Sequence, residues 1–214
     1  PQGGTALSAG EVGQGYKTID DPSVMIRFPV EGAEKTSFLA WTTTPWTLPS
    51  NTALTVGPDI DYVLVETYNQ YTHDPVRVVL AKALVEKQFS GRVEAVEGDA
   101  PWPAYDASSK RVPYRVVGQC KGSDLLGIRY RQLLEYALPY ENPQDAFRVI
   151  GGDFVTTEDG TGIVHTAPTF GADDMQVARA ATPPVPPMLV LDENTLDADL
   201  ANMEYRSITV VGEY

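Results

Sequence analysis

The sequence is poor in the side chains on which most catalytic and metal sites depend. Its 214 residues include one cysteine, Cys120, and two histidines, His73 and His165. A single cysteine excludes an internal disulfide framework, and one cysteine with two histidines cannot supply a typical closed zinc site. We therefore expect a chain that holds no metal, in the reducing setting of the cytoplasm.

Long apolar runs and secretion signals are missing as well. No run approaches the roughly 20 apolar residues that span a bilayer, and the N-terminal PQGGTALSAGEVGQG has no basic region followed by an apolar core. We expect no membrane partner. Because the chain does not begin with Met, we also expect it to be a fragment of a longer protein.

Basic residues are scarce relative to acidic ones. Lys and Arg total 16 against 29 Asp and Glu, which gives a formal net charge of −13. Proteins that bind nucleic acid unaided normally carry a basic surface for phosphate, so any contact with RNA has to be local or assisted by other protein. The phosphate-binding GxxxxGK[ST] and the nucleophile motif GxSxG are also missing.

The residues that are present predict a mainly β fold. Short runs of alternating or β-branched residues recur between Gly, Pro, Asp and Asn. They cover residues 23–30, 37–44, 61–68, 75–81, 114–120, 146–150, 162–167 and 207–211. Many short strands with few helices favour a closed or nearly closed, β-barrel-like architecture with flanking short helices over a doubly wound parallel sheet.

The remaining segments predict helices, connections and domain limits. Helical patterns occupy 81–89 and 171–181, with weaker ones at 124–128 and 131–137. Small residues at 1–15 predict a flexible linker or arm, and residues 16–214 a single domain. Within that domain, the prolines of residues 182–188 predict an irregular connection. The acidic residues of 192–205 predict a loop.

The segment AWTTTPWTLPSN, residues 40–51, has no charged side chain. In an extended strand Thr42 and Thr44 point to one face and Thr43 to the other, until Pro45 removes a backbone donor and ends the strand. Hydroxyls and backbone amides are then exposed at a strand end. The segment therefore predicts a cluster of neutral donors and acceptors rather than a nucleophile.

The turn that follows adds further neutral groups. Thr47 and Asn51 lie in it, and Trp41 and Trp46 are suited to wall a small cavity. An ordinary β-branched strand closed by a proline turn explains the same residues. From this segment alone, that purely structural interpretation is favoured.

A second segment, EDGTGIVHTAPTFGADDMQVA at residues 158–178, joins a turn, a strand and a helix. Gly160 and Gly162 mark the tight turn, and His165 lies near the end of a strand that Pro168 stops. A lone histidine is more often a hydrogen-bonded structural residue than a catalyst, so the geometry of its hydrogen-bond partners has to decide between the two roles.

Two carboxylates, Asp173 and Asp174, open the helix of this second segment. Acidic residues in a first helical turn are stabilised by about 0.3–1 kcal/mol through the helix dipole and free N–H groups. Capping explains one carboxylate well and a pair less well. The second could face a pocket and bind a cationic group such as an ammonium.

Together the two segments resemble the signature motifs of the editing domain of isoleucyl-tRNA synthetase, the insertion that splits that enzyme's catalytic domain. WTTTPWTLPSN and DGTGIVHTAPTFGADD occur in the expected order and at the expected separation. The valyl and leucyl enzymes typically carry Arg-Pro and an acidic residue after the Thr pair, where this sequence has Thr44-Pro45-Trp46. The likeness extends from about Tyr16 to Ala181 and implies the editing-domain fold that the three enzymes share.

The resemblance also implies a role for each matching residue. The Thr-rich strand would hold the ester, the terminal adenosine and an attacking water, and a carboxylate would bind the substrate's α-ammonium; these catalytic positions are Thr42, Thr43, Thr44 and Asp174. Substrate binding falls on Trp41, Thr47, Asn51, His165, Thr166, Ala167, Pro168 and Asp173. Of these, His165 matches the histidine at the floor of the amino-acid pocket, which is linked to size discrimination.

The implied activity is hydrolysis of valine wrongly joined to isoleucine tRNA, with valyl-adenylate as a further candidate substrate. The implied partners are the valine-carrying 3′ end of tRNA(Ile) and the rest of the synthetase, and we expect a monomer. Water is the nucleophile and no cofactor is expected, because ATP and Mg belong to the synthetic site, whose HIGH and KMSKS signatures are missing here. The net charge of −13 predicts weak, salt-sensitive binding of tRNA by this chain alone.

Two other functions stay open at this point. One is a module that only docks the tRNA 3′ end, against which the intact threonines 42–44, His165 and Asp174 argue. The other is the editing domain of a valyl- or leucyl-type synthetase, against which Trp46 argues because an acidic residue is typical there.

Overall fold

The computed structural model describes residues 23–91, 93–98 and 100–188. Within them the mainly β prediction is confirmed, because the described residues form nine strands in two sheets. The arm predicted at 1–15, the loop at 192–205 and the strand at 207–211 lie outside the described residues. The single domain at 16–214 stays a prediction.

Six strands form one mixed sheet in the order β1-β2-β5-β4-β7-β6. Their bounds are β1 (Val24–Pro29), β2 (Thr36–Thr42), β4 (Asp61–Tyr68), β5 (Pro75–Ala81), β6 (Val93–Ala95) and β7 (Val112–Lys121). The pairs β2–β5 and β6–β7 are parallel, and the other neighbours are antiparallel. All of these strands except the three-residue β6 coincide with runs that the sequence predicts.

The middle strands of the six-stranded sheet bury apolar side chains on both faces, because successive side chains point to opposite sides of a strand. In β2, Phe38 and Ala40 lie in one buried cluster and Leu39 in another. The first cluster also holds Leu54 and Ile163 of the second sheet, so it forms the core between the two sheets. The second cluster holds Val63, Val65, Val78, Leu80 and Val85 on the opposite face.

The second sheet has three strands in the order β8-β3-β9. They are β3 (Ala53–Val56), β8 (Arg148–Gly151) and β9 (Ile163–Thr166). β3 runs parallel to β8 and antiparallel to β9, with Leu54 opposite His165 and Ala53 opposite Thr166. Directly paired side chains share a face, so His165 lies on the core face and Thr166 on the other.

The described helices are short. They are α1 (Val85–Gln88), α2 (Ala172–Ala180) and the 3-10 helices Pro45–Ser50, Lys82–Leu84, Gly122–Leu125 and Pro143–Asp145. The weak helical pattern at 131–137 is wrong, because that segment is irregular: Leu133 packs against the core, but Tyr136 is 82% exposed, so no continuous apolar helix face is buried. Residues 182–188 are irregular as predicted. Among the described helices, none is long and apolar enough to cross a membrane.

Candidate functional site

The Thr-rich segment marks the point where β2 ends. The strand stops at Thr42, and the 3-10 helix Pro45–Ser50 begins three residues later. The Thr42 hydroxyl accepts the N–H of Thr44 at 3.0 Å and lies 3.2 Å from the Thr44 hydroxyl. Thr42 is buried, whereas Thr43 and Thr44 are exposed. The turn therefore presents two accessible hydroxyls at the end of a buried strand.

The same 3-10 helix brings the two sequence motifs together at His165. Thr47 Oγ1 lies 2.9 Å from His165 Nε2. Asn51 Nδ2 lies 2.9 Å from His165 Nδ1, on the other side of the ring. His165 is 7% exposed. A buried histidine on β9 is thus held between two residues of the first motif, which are more than 100 positions away in the sequence.

These contacts fix the tautomer of His165. Asn51 Nδ2 also donates to the Ala53 carbonyl at 2.8 Å, which identifies that atom as the amide nitrogen. His165 Nδ1 must therefore accept, and Nε2 carries the hydrogen and donates to Thr47 Oγ1. The Thr47 hydroxyl in turn donates to the Thr44 carbonyl at 2.8 Å. Neither ring nitrogen keeps a free lone pair.

Burial also keeps this ring neutral. It lowers the pKa of His165 from 6.5 to about 4, because charging a group removed from water is costly. With Nδ1 accepting and Nε2 donating, the neutral ring cannot take a proton from a water near physiological pH. The geometry supports a fixed, neutral ring and does not support a general base.

The tight turn before β9 packs against the Thr-rich strand. Gly160 and Gly162 have φ values of 70° and 72°, in the left-handed region that favours glycine. A Cβ on Gly160 would lie 3.1 Å from the Trp41 ring, and one on Gly162 would collide with Ala81. Tyr62 donates to the Gly162 carbonyl at 2.6 Å. The turn thus places Trp41 beside the start of β9.

Thr166, Ala167 and Pro168 follow His165 and are all buried. The Thr166 hydroxyl lies 2.6 Å from that of Thr55, on the face of the small sheet opposite to His165. Its carbonyl accepts the N–H of Thr52 at 3.1 Å. These three residues support the end of β9, and their predicted contact with substrate stays a prediction.

Asp174 lies in the first turn of α2, half-buried. One carboxylate oxygen, Oδ2, accepts the N–H of Ala167 at 2.7 Å, which ties the loop after β9 to the helix. Among the described residues the other oxygen has no hydrogen-bond donor. Burial raises the pKa of the Asp174 carboxyl, the Ala167 N–H opposes that rise, and the charge of Asp173 adds to it.

Asp173 and Trp46 stand apart from this network. Asp173 is exposed, and Trp46 is 60% exposed. A surface cavity of about 1100 Å³ lies elsewhere, beside β1, where Met25 and Arg131 contribute to its lining, and it includes none of the predicted site residues. Within the described ranges no three His, Cys, Asp or Glu side chains cluster as metal ligands would.

The sequence interpretation missed one member of the network, Tyr130. Its side chain is fully buried, and its hydroxyl donates to Asn51 Oδ1 at 2.6 Å. Tyr130 is one of 11 tyrosines and is separated from Asn51 by 79 positions. No local pattern distinguishes it, because its importance arises only from the folded contact.

The chain is similar in sequence to isoleucine–tRNA ligases. No protein-family model matches the chain. Over its whole length the chain is 47% identical to the isoleucine–tRNA ligase of Cytophaga hutchinsonii. Over 85% of its length it is 50% identical to the isoleucine–tRNA ligase of Bacteroides thetaiotaomicron. The chain spans 19% and 17% of the lengths of these two relatives.

Among solved structures, the fold is similar to the editing domain of the P. knowlesi cytosolic leucyl-tRNA synthetase. The TM-score is 0.55, and the match covers 79% of this chain and 66% of that domain. Because the two are 14% identical in sequence, the likeness concerns the fold alone. It confirms the editing-domain fold that the two motifs predict.

Proposed function

The chain belongs to the isoleucine–tRNA ligase family and spans less than a fifth of the length of the two relatives described above. From that premise we propose that it is an editing deacylase. Its substrate is the ester that joins valine to the 3′ end of isoleucine tRNA, and valyl-adenylate is a further candidate. Its other partner is the remainder of the synthetase, and it works in the cytoplasm without a cofactor.

The observation that carries this proposal is the meeting of the two motifs at His165. Thr47 and Asn51 bond the two ring nitrogens, each at 2.9 Å. A ring held on both sides cannot move aside for a larger side chain. It therefore suits a wall that limits the size of the amino acid, as removal of valine but not isoleucine requires.

A second discrimination step answers a physical need. A hydrophobic pocket separates side chains that differ by one methylene only about 10–200-fold, and the synthetic site of isoleucyl-tRNA synthetase is itself the standard example, at about 150 for isoleucine against valine. A second pocket that admits only the smaller side chain multiplies that ratio. We assign the exclusion of isoleucine to the neutral ring of His165.

Asp174 is suited to hold the α-ammonium of the substrate. Its Oδ2 is engaged by Ala167 N–H at 2.7 Å, which leaves the other oxygen for a cationic ligand. Because burial raises the pKa of this carboxyl, a bound ammonium would stabilise its ionised form. Asp174 thus anchors the amino end of the amino acid and orients the ester carbonyl.

The threonines at the end of β2 supply neutral donors. Thr43 and Thr44 are exposed, and the Thr42 hydroxyl is held against Thr44. We assign them the positioning of water and ester and the stabilisation of the oxyanion. Water adds to the ester carbonyl carbon, the carbon–oxygen bond to the ribose breaks, and a proton from that water passes to the departing ribose oxygen.

The decisive experiment compares hydrolysis of Val-tRNA(Ile) and Ile-tRNA(Ile) by the 214-residue chain. We expect the valine ester to be released faster by at least the roughly 10-fold that one methylene supplies. Equal background rates with both esters would refute the deacylase, and faster release of isoleucine would refute the size-selective pocket. Tight tRNA binding without hydrolysis would favour a docking module.

Asp174→Asn tests the ammonium anchor, because it keeps the shape of the side chain and removes its charge. Loss of one charged hydrogen bond predicts a fall of about 10- to 100-fold in kcat/KM for the valine ester. The matched control is Asp74→Asn, which makes the same change of net charge in an exposed turn. Wild-type kinetics in Asp174→Asn would refute the assignment.

A further inference from the structure

Tyr130 occupies an unusually constrained position. Its ring is fully buried between Phe28 and Phe147, in edge contacts with centroid distances of 5.3 and 6.3 Å. Its backbone N–H donates to the Phe147 carbonyl at 3.0 Å. Neither the ring nor the backbone of Tyr130 is free to shift, so its hydroxyl is held at a fixed point in the core.

That hydroxyl accounts for the one remaining polar atom of Asn51. It donates to Asn51 Oδ1 at 2.6 Å. The two amide hydrogens reach the Ala53 carbonyl at 2.8 Å and His165 Nδ1 at 2.9 Å, and the Thr166 carbonyl is a longer, third acceptor at 3.4 Å. Asn51 is 3% exposed and thus satisfied on every side.

We propose that Tyr130 is a positioning residue of the editing site, which acts through Asn51 to hold His165 in its Nε2–H tautomer and in one ring orientation. The series of bonds runs from Tyr130 through Asn51, His165 and Thr47 to the Thr44 carbonyl. One end is anchored in the core and the other at the Thr-rich turn. The expected effect of Tyr130 on editing rests on the proposed function. Its expected effect on the tautomer of His165 is independent of that function.

Removal of the Tyr130 hydroxyl leaves Asn51 Oδ1 buried without the donor it has now. The amide gains by rotating, and any rotation takes Nδ2 away from His165 Nδ1. The ring is then free to carry its hydrogen on Nδ1, in which case Thr47 donates to Nε2 and releases the Thr44 carbonyl. One missing hydroxyl thus loosens both the pocket wall and the threonine turn.

The test is Tyr130→Phe in the full chain, with His73→Gln in every sample so that His165 gives the one imidazole signal. Two-bond nitrogen–proton spectra report the tautomer without any substrate. We expect a pure Nε2–H pattern in the parent chain and a mixture in Tyr130→Phe. The loss of one buried hydrogen bond corresponds to a change of up to about 10-fold, so we expect up to about a 10-fold fall in the valine-to-isoleucine hydrolysis ratio.

Tyr62→Phe is the matched control, because it removes an equally buried tyrosine hydroxyl, the one that accepts the Gly57 N–H and donates to the Gly162 carbonyl. It should destabilise the fold at least as much and leave the His165 tautomer unchanged. A Tyr130→Phe protein with the parent tautomer and the parent hydrolysis ratio overturns the proposal. So does an equal change of the tautomer in Tyr62→Phe.

Asn51→Asp tests the link between Asn51 and His165, on which the proposal depends, if Tyr130→Phe does not fold. A carboxylate can only accept, so His165 Nδ1 would have to carry the hydrogen to bond it. Persistence of the Nε2–H tautomer in Asn51→Asp overturns the proposal. If the parent chain hydrolyses neither ester, the proposed function fails while the spectra still decide the role of Tyr130.

Discussion

The two sheets differ in which polar side chains they bury and in the partners of those side chains. In the three-stranded sheet and the turn before it, Asn51, Thr55, His165 and Thr166 are buried, and the groups are neutral and bonded to one another. In the six-stranded sheet the cores are mostly apolar. Buried hydroxyls such as those of Tyr62 and Thr67 bond backbone carbonyls, and the charged side chains form ion pairs near the surface, such as those of Glu66 with its arginine neighbours.

The difference shows where this chain can hold a binding site. Buried neutral hydrogen bonds fix geometry without the desolvation cost of a buried charge. Ion pairs near the surface are screened and contribute little. The small sheet therefore holds its side chains in defined positions, whereas the large sheet supplies apolar packing on which the small sheet rests. Three sets of substitutions test that contrast, from the largest expected effect to the smallest.

Acid should destabilise the small sheet first. Burial lowers the pKa of His165 from 6.5 to about 4, so below pH 6.5 the unfolded chain binds a proton that the folded chain does not. Unfolding free energy attributable to His165 should fall as pH drops from about 6.5 to about 4, by about 3 kcal/mol in total. Urea unfolding at pH 7 and pH 4.5 measures most of this loss.

The control for the acid experiment is the second histidine. His165→Gln should remove this part of the pH dependence, while His73→Gln, in the turn between β4 and β5, should keep it. The comparison cancels the carboxylates that also titrate at low pH. An identical pH dependence in His165→Gln and the parent chain would contradict the buried, neutral histidine.

The sequence predicts the large sheet well and the small sheet less well. Short runs rich in β-branched residues, bounded by turn-forming residues, mark β4 and β5 at their observed bounds, Asp61–Tyr68 and Pro75–Ala81. β3 escapes because its four residues, Ala53–Val56, are buried on both faces and show no alternation. A short strand buried on both sides has no periodic signal that would separate it from a loop.

The candidate site divides in the same way. Strand periodicity alone implies that His165 and Thr166 face opposite sides of β9, as their contacts show. The motifs identify Thr47 and Asn51 as candidate residues. They do not reveal that these two side chains bond the imidazole of His165 from opposite sides. Tyr130 has no local signal at all, because a contact across 79 positions is a product of the fold.

A smaller effect is expected from the hydroxyl pair behind β9. The hydroxyls of Thr55 and Thr166 are 2.6 Å apart and buried, and Thr166 Oγ1 is also 3.3 Å from the Val164 carbonyl. Thr55→Val should therefore cost about 1 kcal/mol, since the Thr166 hydroxyl keeps an acceptor. Chemical denaturation measures this free energy.

A double-mutant cycle makes the hydroxyl-pair prediction specific. Thr55→Val with Thr166→Val should cost less than the sum of the two single changes, because the second substitution removes a hydroxyl that has already lost its partner. Thr67→Val is the control from the large sheet, where the hydroxyl bonds the Pro113 carbonyl at 2.9 Å. The loss of unfolding free energy in Thr67→Val should add to that in Thr166→Val. Strict additivity of the Thr55→Val and Thr166→Val losses would contradict a coupled hydroxyl pair.

The smallest effect should come from the charges of the large sheet. Burial raises the pKa of Glu66, but hydrogen bonds from Arg115 and Arg77 outweigh it, and the pKa is lowered overall. The carboxylate therefore stabilises the fold at neutral pH, and its contribution is lost as the pH falls below the ordinary value of 4.5. The pH range in which Glu66 loses its contribution lies mostly below the range in which His165 does. As the pH falls, the contribution of His165 should therefore be lost before that of Glu66.

Glu66→Gln tests this weakest contribution. Because the Arg77 side chain is 50% exposed, screening by solvent should hold the cost at pH 7 to about 1 kcal/mol or less, and 1 M salt should reduce it further. Urea unfolding at low and high salt measures the cost, and the valine-to-isoleucine hydrolysis ratio should not change. A shift in that ratio would mean that Glu66 influences the pocket from the far sheet, and the proposed division between a sheet that positions and a sheet that supports would be wrong.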